Sequence, residues 1–141
     1  MDFDIPTDVN DFNRYGEEYL FGLLGMEFLK VEEEEVIGRI ELRKHHFGWN
    51  GFLHAGAIFA LADSCAGYGC VRSLPTGATG FTTIETKNNF LSTVREGSIR
   101  AIAVPLHKGR STQVWDVTVT SEQTDKTLSC YWCTQMILWP R

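Results

Sequence analysis

The stretch from residue 54 or 55 to about residue 71 restricts the fold more than any other part of the chain. It reads HAGAIFALADSCAGYGCV and is apolar almost throughout, a pattern that predicts one long buried helix. Small residues are frequent in it, and each glycine costs an exposed helix about 1 kcal/mol relative to alanine. Such a helix is stable only where other elements pack closely against it. Asp63 places a carboxylate in the middle of this stretch and requires an explanation.

Strand patterns lie on both sides of this predicted helix. Before it, the residues after Gly25, an acidic turn EEEE and the run VIGRIELR predict a hairpin with Ile40 and Leu42 on one face. After it come four runs with the alternation of strands: FTTIETKNNFL, SIRAIAVPLH, STQVWDVTVTSE and TLSCYWCTQMILW. This order predicts an α+β fold in which a curved antiparallel sheet wraps one long central helix. Near the start, the spacing from Val9 to about Leu24 predicts a further amphipathic helix.

The size and charge of the chain exclude several classes of function. With 141 residues, 43% of them hydrophobic, we expect a single domain over residues 1–141. The net charge is -5 at pH 7 and no run of Lys and Arg is present, so we expect no binding to nucleic acid. The acidic start and the lack of any apolar run of roughly 18 residues predict neither a leader nor a membrane span. We expect a soluble cytoplasmic protein.

Four cysteines raise the question of a metal site or a disulfide. Cys130 and Cys133 have the C-x-x-C spacing of redox and zinc motifs. They lie on a predicted strand, however, where positions three apart point to opposite faces. Cys65 and Cys70 are five apart on the predicted helix, roughly 140° apart around its axis. We therefore predict four buried structural thiols and no metal site.

Five short stretches, in this order, resemble the hotdog-fold acyl-CoA thioesterases of the PaaI type, a family named for the phenylacetate pathway. They are GFLHAG (51–56), FALADS (59–64), TIETKNNFL (83–91), VREG (94–97) and HKGR (107–110). The resemblance extends from about Phe47 to Leu138. It implies the hotdog fold and hydrolysis of an acyl-CoA to the free acid and CoA. CoA is then part of the substrate, and no separate cofactor is expected.

The resemblance also implies an active site at the start of the central helix. In the family, a His-Gly-Gly loop opens this helix, and an acidic residue nine positions after the His faces a thioester site at the dimer interface. His54, Ala55, Gly56 and Asp63 occupy these positions. Asp63 is expected to activate water or to attack directly, because a partly desolvated carboxylate is a stronger base than an exposed one. The alternative is that Asp63 faces solvent or has a structural partner.

The other residues of this loop have roles that follow from the same resemblance. The N–H of Ala55 would bind the thioester carbonyl, and Gly56 would contact the substrate. His54 would orient the loop unless it is only a core histidine whose ring is satisfied by backbone groups. If the position of Ala55 required a positive φ, its methyl group would add strain of about 1 to 2 kcal/mol. Relatives usually carry Asn or Gln six residues before the His, where this chain has Gly48. The amide of Asn50 would reach the same point unless Asn50 is only a turn former or N-cap; His46 is a second candidate.

Two further positions match family sites outside the central helix. Thr83 lies where some relatives place a hydroxyl close to the acid, and it would fix the attacking water unless it is simply a sheet former. Glu85 is two residues further on the same strand and is expected on the same face. Lys108, Gly109 and Arg110 match the turn that meets the nucleotide end of CoA, where cations and backbone amides engage phosphate. The alternative is a polar hairpin turn.

Two other functions are compatible with this scaffold. A hotdog protein that binds an acyl thioester or another apolar ligand without cleaving it is the first alternative, and Gly48 and Ala55 favour it. A hydratase is the second, but that class pairs an Asp with a His five residues later, where this chain has Tyr68. An acyl-CoA thioesterase fits the stretches above better than either alternative.

The fold also sets expectations for partners and for the acyl group. A curved sheet around one helix leaves edge strands open, so we expect a homodimer or homotetramer. Five aromatic residues near the expected site point to an aromatic or medium-length acyl chain, unless they only fill the core. They are Phe47, Trp49, Phe52, Phe59 and Tyr68.

Overall fold

A computed structural model describes residues 5–141, so the first four residues of the acidic start lie outside the described range. The helices are α1 (Val9–Gly16), α2 (Leu20–Leu23) and α3 (Ala55–Arg72), and a 3-10 turn spans Lys44–His46. The strands are β1 (Met26–Val31), β2 (Val36–Glu41), β3 (Gly80–Phe90), β4 (Ser98–Lys108), β5 (Thr112–Ser121) and β6 (Thr127–Leu138). None of the helices in this range is long and apolar enough to cross a membrane.

All six strands join one antiparallel sheet in the order β1-β2-β4-β5-β6-β3. The hairpin predicted before the central helix is β1 and β2, and the four runs predicted after it are β3 to β6. Helix α3 packs across the inner face of this sheet and contacts all six strands. The predicted α+β hotdog architecture is therefore confirmed, with β1 and β3 as the two edge strands.

Close contact between α3 and the sheet explains why this helix is built from small residues. A β-carbon added to Gly69 would overlap the indole ring of Trp115, which is itself fully buried in β5. On the other side of the interface, a β-carbon added to Gly38 of β2 would lie 2.8 Å from the sulfur of Cys65. Larger side chains at these points would force the helix away from the sheet.

The helix predicted from Val9 to about Leu24 is wrong in its length, because the structure has two helices there. Helix α1 ends at Gly16, and the chain turns before α2 begins at Leu20. The turn brings Phe21 back over Gly16, where an added β-carbon would lie 3.1 Å from the β-carbon of Phe21. Phe21 then stacks on Tyr68 of α3, with ring centroids 5.1 Å apart. Tertiary packing of one aromatic ring therefore outweighs the continuous helical pattern.

The cysteines lie as the strand and helix periodicities predict, with one exception in burial. Cys65, Cys70 and Cys133 are buried, whereas Cys130 is partly exposed, so the prediction of four buried thiols is wrong for Cys130. Burial raises the pKa of the Cys70 thiol to about 12 and that of Cys133 to about 11, which keeps both protonated at neutral pH. Within residues 5–141, no three His, Cys, Asp or Glu side chains form a cluster suited to a metal ion.

The packing at Gly69 gives a direct test of this architecture. Gly69→Ala should destabilise the protein by about 1 to 3 kcal/mol, because the rigid Trp115 ring has no space for the methyl group. Gly67→Ala is the matched control in the same helix: its β-carbon would lie 3.3 Å from the end of the partly buried Phe81 ring. Because the Phe81 ring is only partly buried, we expect it to move by the few tenths of an ångström that the methyl group requires, so the control should keep or gain stability. Chemical denaturation measures both, and an unchanged Gly69→Ala variant would contradict the packing described.

Candidate active site

The first turn of α3 presents one free backbone donor among the described residues. His54 is the N-cap, and its Nδ1 accepts a hydrogen bond from the N–H of Gly56 at 2.9 Å. The Gly56 N–H is therefore occupied. Ala55 is the first residue of the helix, is exposed, and has no acceptor for its N–H among the hydrogen bonds of residues 5–141. Because a helix N-terminus carries partial positive charge, this N–H can bind a carbonyl oxygen that becomes negative.

Ala55 carries no backbone strain at this position. Among the described residues, Asp125 is the one non-glycine residue with a positive φ, and Ala55 lies within the regular part of α3. The strain expected if Ala55 had a positive φ is therefore absent. Alanine keeps the N–H and also favours the first turn of a helix more than the glycine of the family pattern does.

The loop before α3 places Asn50 over Gly48. The N–H of Gly48 donates to the carbonyl of Phe52 at 2.8 Å, and the side-chain oxygen of Asn50 accepts from the N–H of Phe52 at 3.2 Å. A β-carbon added to Gly48 would lie 2.8 Å from that oxygen of Asn50. The carboxamide of Asn50 therefore occupies the place where a side chain at position 48 would begin. A cleft of about 300 Å³ lies between this loop and the start of α3, lined by Gly48, Trp49, Asn50, Phe52, Leu53, His54 and Ala55.

His46, the second candidate for the missing amide, has a structural role instead. Its side chain is buried, Nδ1 accepts from the N–H of Arg43 at 2.8 Å, and Nε2 donates to the carbonyl of Leu24 at 2.8 Å. Burial lowers the pKa of His46, which favours the neutral ring that both hydrogen bonds require. Since both nitrogens are occupied away from the cleft, the prediction for His46 is wrong.

Asp63 lies on the half-buried face of α3 and has a partner on the sheet. The hydroxyl of Tyr131 in β6 donates to Oδ1 of Asp63 at 2.5 Å. The Tyr131 ring is fully buried and packs edge-on against Phe59, with ring centroids 5.4 Å apart. Burial first, and the hydrogen bond to Asp63 second, raise the pKa of Tyr131 well above its ordinary value, so the phenol remains a neutral donor. Tyr131 was absent from the sequence analysis, although a buried tyrosine hydroxyl requires a polar partner.

Within one chain, the structure keeps Ala55 and Asp63 apart. They are eight residues apart in α3, and a rise of 1.5 Å per residue separates them by about 12 Å along the helix axis. A thioester carbonyl bound to the Ala55 N–H is therefore out of reach of the Asp63 carboxylate of the same chain. Asn50, His54 and Ala55 do line the same cleft, and Gly56 follows Ala55 in α3.

Thr83 hydrogen-bonds the sheet rather than the acid. Its hydroxyl donates to the side-chain oxygen of buried Gln135 at 2.7 Å, and the amide of Gln135 donates to the sulfur of Cys133 at 3.4 Å. A bulge follows Thr83, because Thr83 pairs with Gln135 but Glu85 pairs with Thr134. The bulge turns Glu85 to the opposite face, so the prediction that Glu85 shares the face of Thr83 is wrong.

In the turn between β4 and β5, the cationic side chains already contact other residues of the same chain. Lys108 forms an ion pair with Glu34, and the Arg110 guanidinium lies 4.9 Å from the centre of the Trp139 ring. The N–H of Gly109 donates to the carbonyl of Thr112 at 2.9 Å and closes the turn. These residues are exposed to different degrees at one end of the sheet, and a phosphate would have to displace Glu34 from Lys108.

The aromatic residues divide between the cleft and the core. Phe52 lines the cleft. The Arg95 guanidinium lies over the Phe52 ring, 4.8 Å from its centre, and so places a cation close to this cleft residue. Tyr68, by contrast, packs against Phe12 and Phe28, with ring centroids 4.6 Å from each. The prediction that Tyr68 lies near the acyl group is therefore wrong, since its ring belongs to the core beneath α1.

Comparison with known proteins identifies the family. The model of the thioesterase superfamily matches residues 50–128, which include the cleft loop from Asn50 onward, the whole of α3, strands β3 to β5 and the start of β6. This is more than half of the chain, so the protein belongs to the thioesterase superfamily. The predicted enzyme class, a thioester hydrolase acting on an acyl-CoA, is confirmed.

Individual relatives agree with this assignment. The 1,4-dihydroxy-2-naphthoyl-CoA hydrolase of Listeria monocytogenes is 32% identical over 111 residues, which are 79% of this chain and 89% of that protein. The thioesterase HI1161 of Haemophilus influenzae has a TM-score of 0.87 at 23% identity, over 98% of this chain and 95% of that one. The PaaI protein of the Escherichia coli phenylacetic acid degradation operon has a TM-score of 0.79 at 21% identity, over 92% and 91%. These two structures match the fold.

Proposed function

We propose that this protein hydrolyses an acyl-CoA with an aromatic acyl group, at two equivalent sites formed between two copies of the chain. The observation that carries the proposal is a half-buried carboxylate, Asp63, held by hydrogen bond on an otherwise apolar helix. Relatives from Listeria monocytogenes and Escherichia coli are named as hydrolases of an aromatic acyl-CoA, 1,4-dihydroxy-2-naphthoyl-CoA. Phe52 and Phe59 supply aromatic surface near the two halves of the site.

A second copy of the chain resolves the separation between Ala55 and Asp63. If α3 of a second copy lies beside the first in the opposite direction, the Asp63 carboxylate of one copy approaches the Ala55 N–H of the other. The half-buried positions Phe59, Asp63 and Ser64 form the face of α3 that such a neighbour would cover. Edge strand β3 supports the same arrangement, because exposed apolar side chains cluster at and just after it: Ile84, Phe90 and Leu91.

The proposed reaction divides its tasks between these groups. The thioester oxygen accepts a hydrogen bond from the Ala55 N–H, and the helix N-terminus stabilises the negative charge that develops on it. Asp63 of the other copy removes a proton from a water molecule while the water attacks the carbonyl carbon. In the alternative route the Asp63 carboxylate attacks that carbon itself and displaces the CoA thiolate, and water then hydrolyses the mixed anhydride to the free acid and the Asp63 carboxylate. The acyl–sulfur bond breaks, the acyl carbon keeps the oxygen from water, and the CoA thiolate takes up a proton. Lys108 and Arg110 are proposed to meet the nucleotide end of CoA. Thr83, whose hydroxyl donates to Gln135, is proposed to lie near the attacking water.

Removal of the Asp63 charge tests the catalytic role. Asp63→Asn should lower kcat by at least about 100-fold, because the amide neither accepts a proton nor attacks. The release of CoA thiol from a panel of aromatic and aliphatic acyl-CoAs measures this, with Asp116→Asn in β5 as the control that should retain full activity. An active Asp63→Asn variant would end the catalytic assignment. Saturable binding without thiol release in the wild-type protein would favour the non-catalytic alternative.

Two substitutions at Asn50 separate a turn-forming role from a role in the site. Asn50→Asp keeps the side-chain oxygen that accepts from Phe52 but removes the amide donor, whereas Asn50→Ala removes both. If the amide contacts the thioester or water, both variants should lose roughly 10-fold or more in kcat/KM, as expected for a lost donor in a site. If only the turn matters, Asn50→Asp will be as active as the wild type.

The proposed assembly has its own measurement. Light scattering coupled to gel filtration should give a mass of at least two chains of 15.9 kDa each. Chains with Asp63→Asn and chains with Ala55→Trp should each be inactive alone and should regain part of the activity when mixed. In each mixed dimer, one site combines the intact Ala55 of the first chain with the intact Asp63 of the second. A monomer with full activity would show that the second copy is not required.

A further inference from the structure

We propose that Tyr131 is a positioning residue for Asp63: its hydroxyl occupies one carboxylate oxygen and leaves the other directed at the substrate. This inference rests on the proposed function of Asp63 and adds to it a residue from the opposite layer of the fold. Tyr131 is 68 positions away in sequence and reaches the acid from β6. It joins the sheet to α3 at the site itself.

The geometry fixes both partners of this hydrogen bond. The side chain of Tyr131 has no exposed surface, and its ring is held by the edge-on contact with Phe59, four residues before Asp63 on α3. The distance of 2.5 Å from the hydroxyl to Oδ1 is in the range of a charge-assisted O–H···O⁻ hydrogen bond. The terminal torsion of an aspartate side chain has broad minima, so this bond selects one orientation of the carboxylate.

The groups that face Asp63 from the sheet are neutral. Burial raises the pKa of Tyr131 well above its ordinary value, and burial raises the pKa of Cys133, two residues along β6, to about 11. At neutral pH β6 therefore offers Asp63 a hydrogen-bond donor, and within residues 5–141 Asp63 takes part in no ion pair. A neutral donor can orient the carboxylate without neutralising its charge.

Orientation of a general base or nucleophile affects the chemical step more than substrate binding. A misplaced reacting group costs up to about 100-fold in rate, whereas contacts with the remainder of CoA are unaffected. Loss of the Tyr131 hydroxyl should therefore appear in kcat and leave KM nearly unchanged. A residue that only supports the fold would instead lower stability, or the fraction of active protein.

The test is Tyr131→Phe, which keeps the ring and its contact with Phe59. We expect kcat to fall by about 10- to 100-fold and KM to change by less than about 3-fold. The thermal unfolding midpoint should fall by only a few degrees, because one hydrogen bond to a half-buried carboxylate is lost while the packing of the ring is kept. Tyr68→Phe is the matched control, because it removes a tyrosine hydroxyl from α3 whose ring packs in the core. It should keep the wild-type kcat.

A double-mutant cycle distinguishes positioning from support of the fold. If Tyr131 acts through Asp63, Tyr131→Phe will have no further effect on the residual rate of the Asp63→Asn variant. Equal losses in both backgrounds would overturn the inference, as would a fully active Tyr131→Phe enzyme. A wild-type protein that cleaves no acyl-CoA would instead refute the proposed function, and this inference with it.

Proton NMR tests the hydrogen bond without replacing Tyr131. A short O–H···O⁻ bond in a buried position should give a slowly exchanging, strongly downfield signal that disappears in Asp63→Ala. The wild-type spectrum should contain this signal even if Tyr131→Phe fails to fold. Its absence from a well-folded wild-type protein would contradict the hydrogen bond on which the proposal depends.

Discussion

The close approach of α3 to the sheet is the constraint on which the rest of the structure depends. The helix has no room for a side chain at Gly69 above Trp115, and the sheet has none at Gly38 beneath Cys65. Helix and sheet gain dispersion contacts and exclude water at this separation, which offsets the low helix propensity of glycine. The same separation sets how far a side chain must extend to cross from one layer to the other.

That separation is what connects Tyr131 to Asp63. A tyrosine is long enough to span from β6 to α3 and ends in a donor, so the carboxylate gains a partner without a buried cation. A carboxylate on an apolar helix is costly unless it is hydrogen-bonded, and here the sheet supplies one bond while the half-buried side of the helix leaves the second oxygen open. The structural and catalytic interpretations of Asp63 are therefore compatible, since one oxygen serves each.

The sequence predicted most of the fold, and its failures have physical causes. It also named Asp63, His54, Ala55 and Asn50 as site candidates, and their catalytic roles stay predictions. Periodicity located α3 and every strand, because each has a strong pattern and a clear turn on either side. Periodicity failed where a non-local contact or a local irregularity decided the structure. The packing of Phe21 on Tyr68 breaks the first helix, and a bulge turns Glu85 away from the face of Thr83. Tyr131 was missed because its partner is 68 positions away, and no local pattern reports a contact of that range. The single domain over residues 1–141, the cytoplasmic location and the absence of a cofactor stay predictions.

The length of α3 links catalysis to assembly. A donor at the first residue of a helix and an acid two turns later point to different places, about 12 Å apart along the axis, so one helix can hold both groups but cannot use them on one thioester. In the proposed dimer, two helices side by side in opposite directions would bring each donor beside the other copy's acid and would form two sites at once. The proposed role also explains why Asp63 lies at a half-buried position of α3. A fully buried acid would not meet the substrate, and the side chain of a fully exposed acid would not be held in one orientation. In this arrangement the small residues let α3 approach the sheet, and Tyr131 then holds one oxygen of the Asp63 carboxylate. The other oxygen stays open toward the second copy and the substrate.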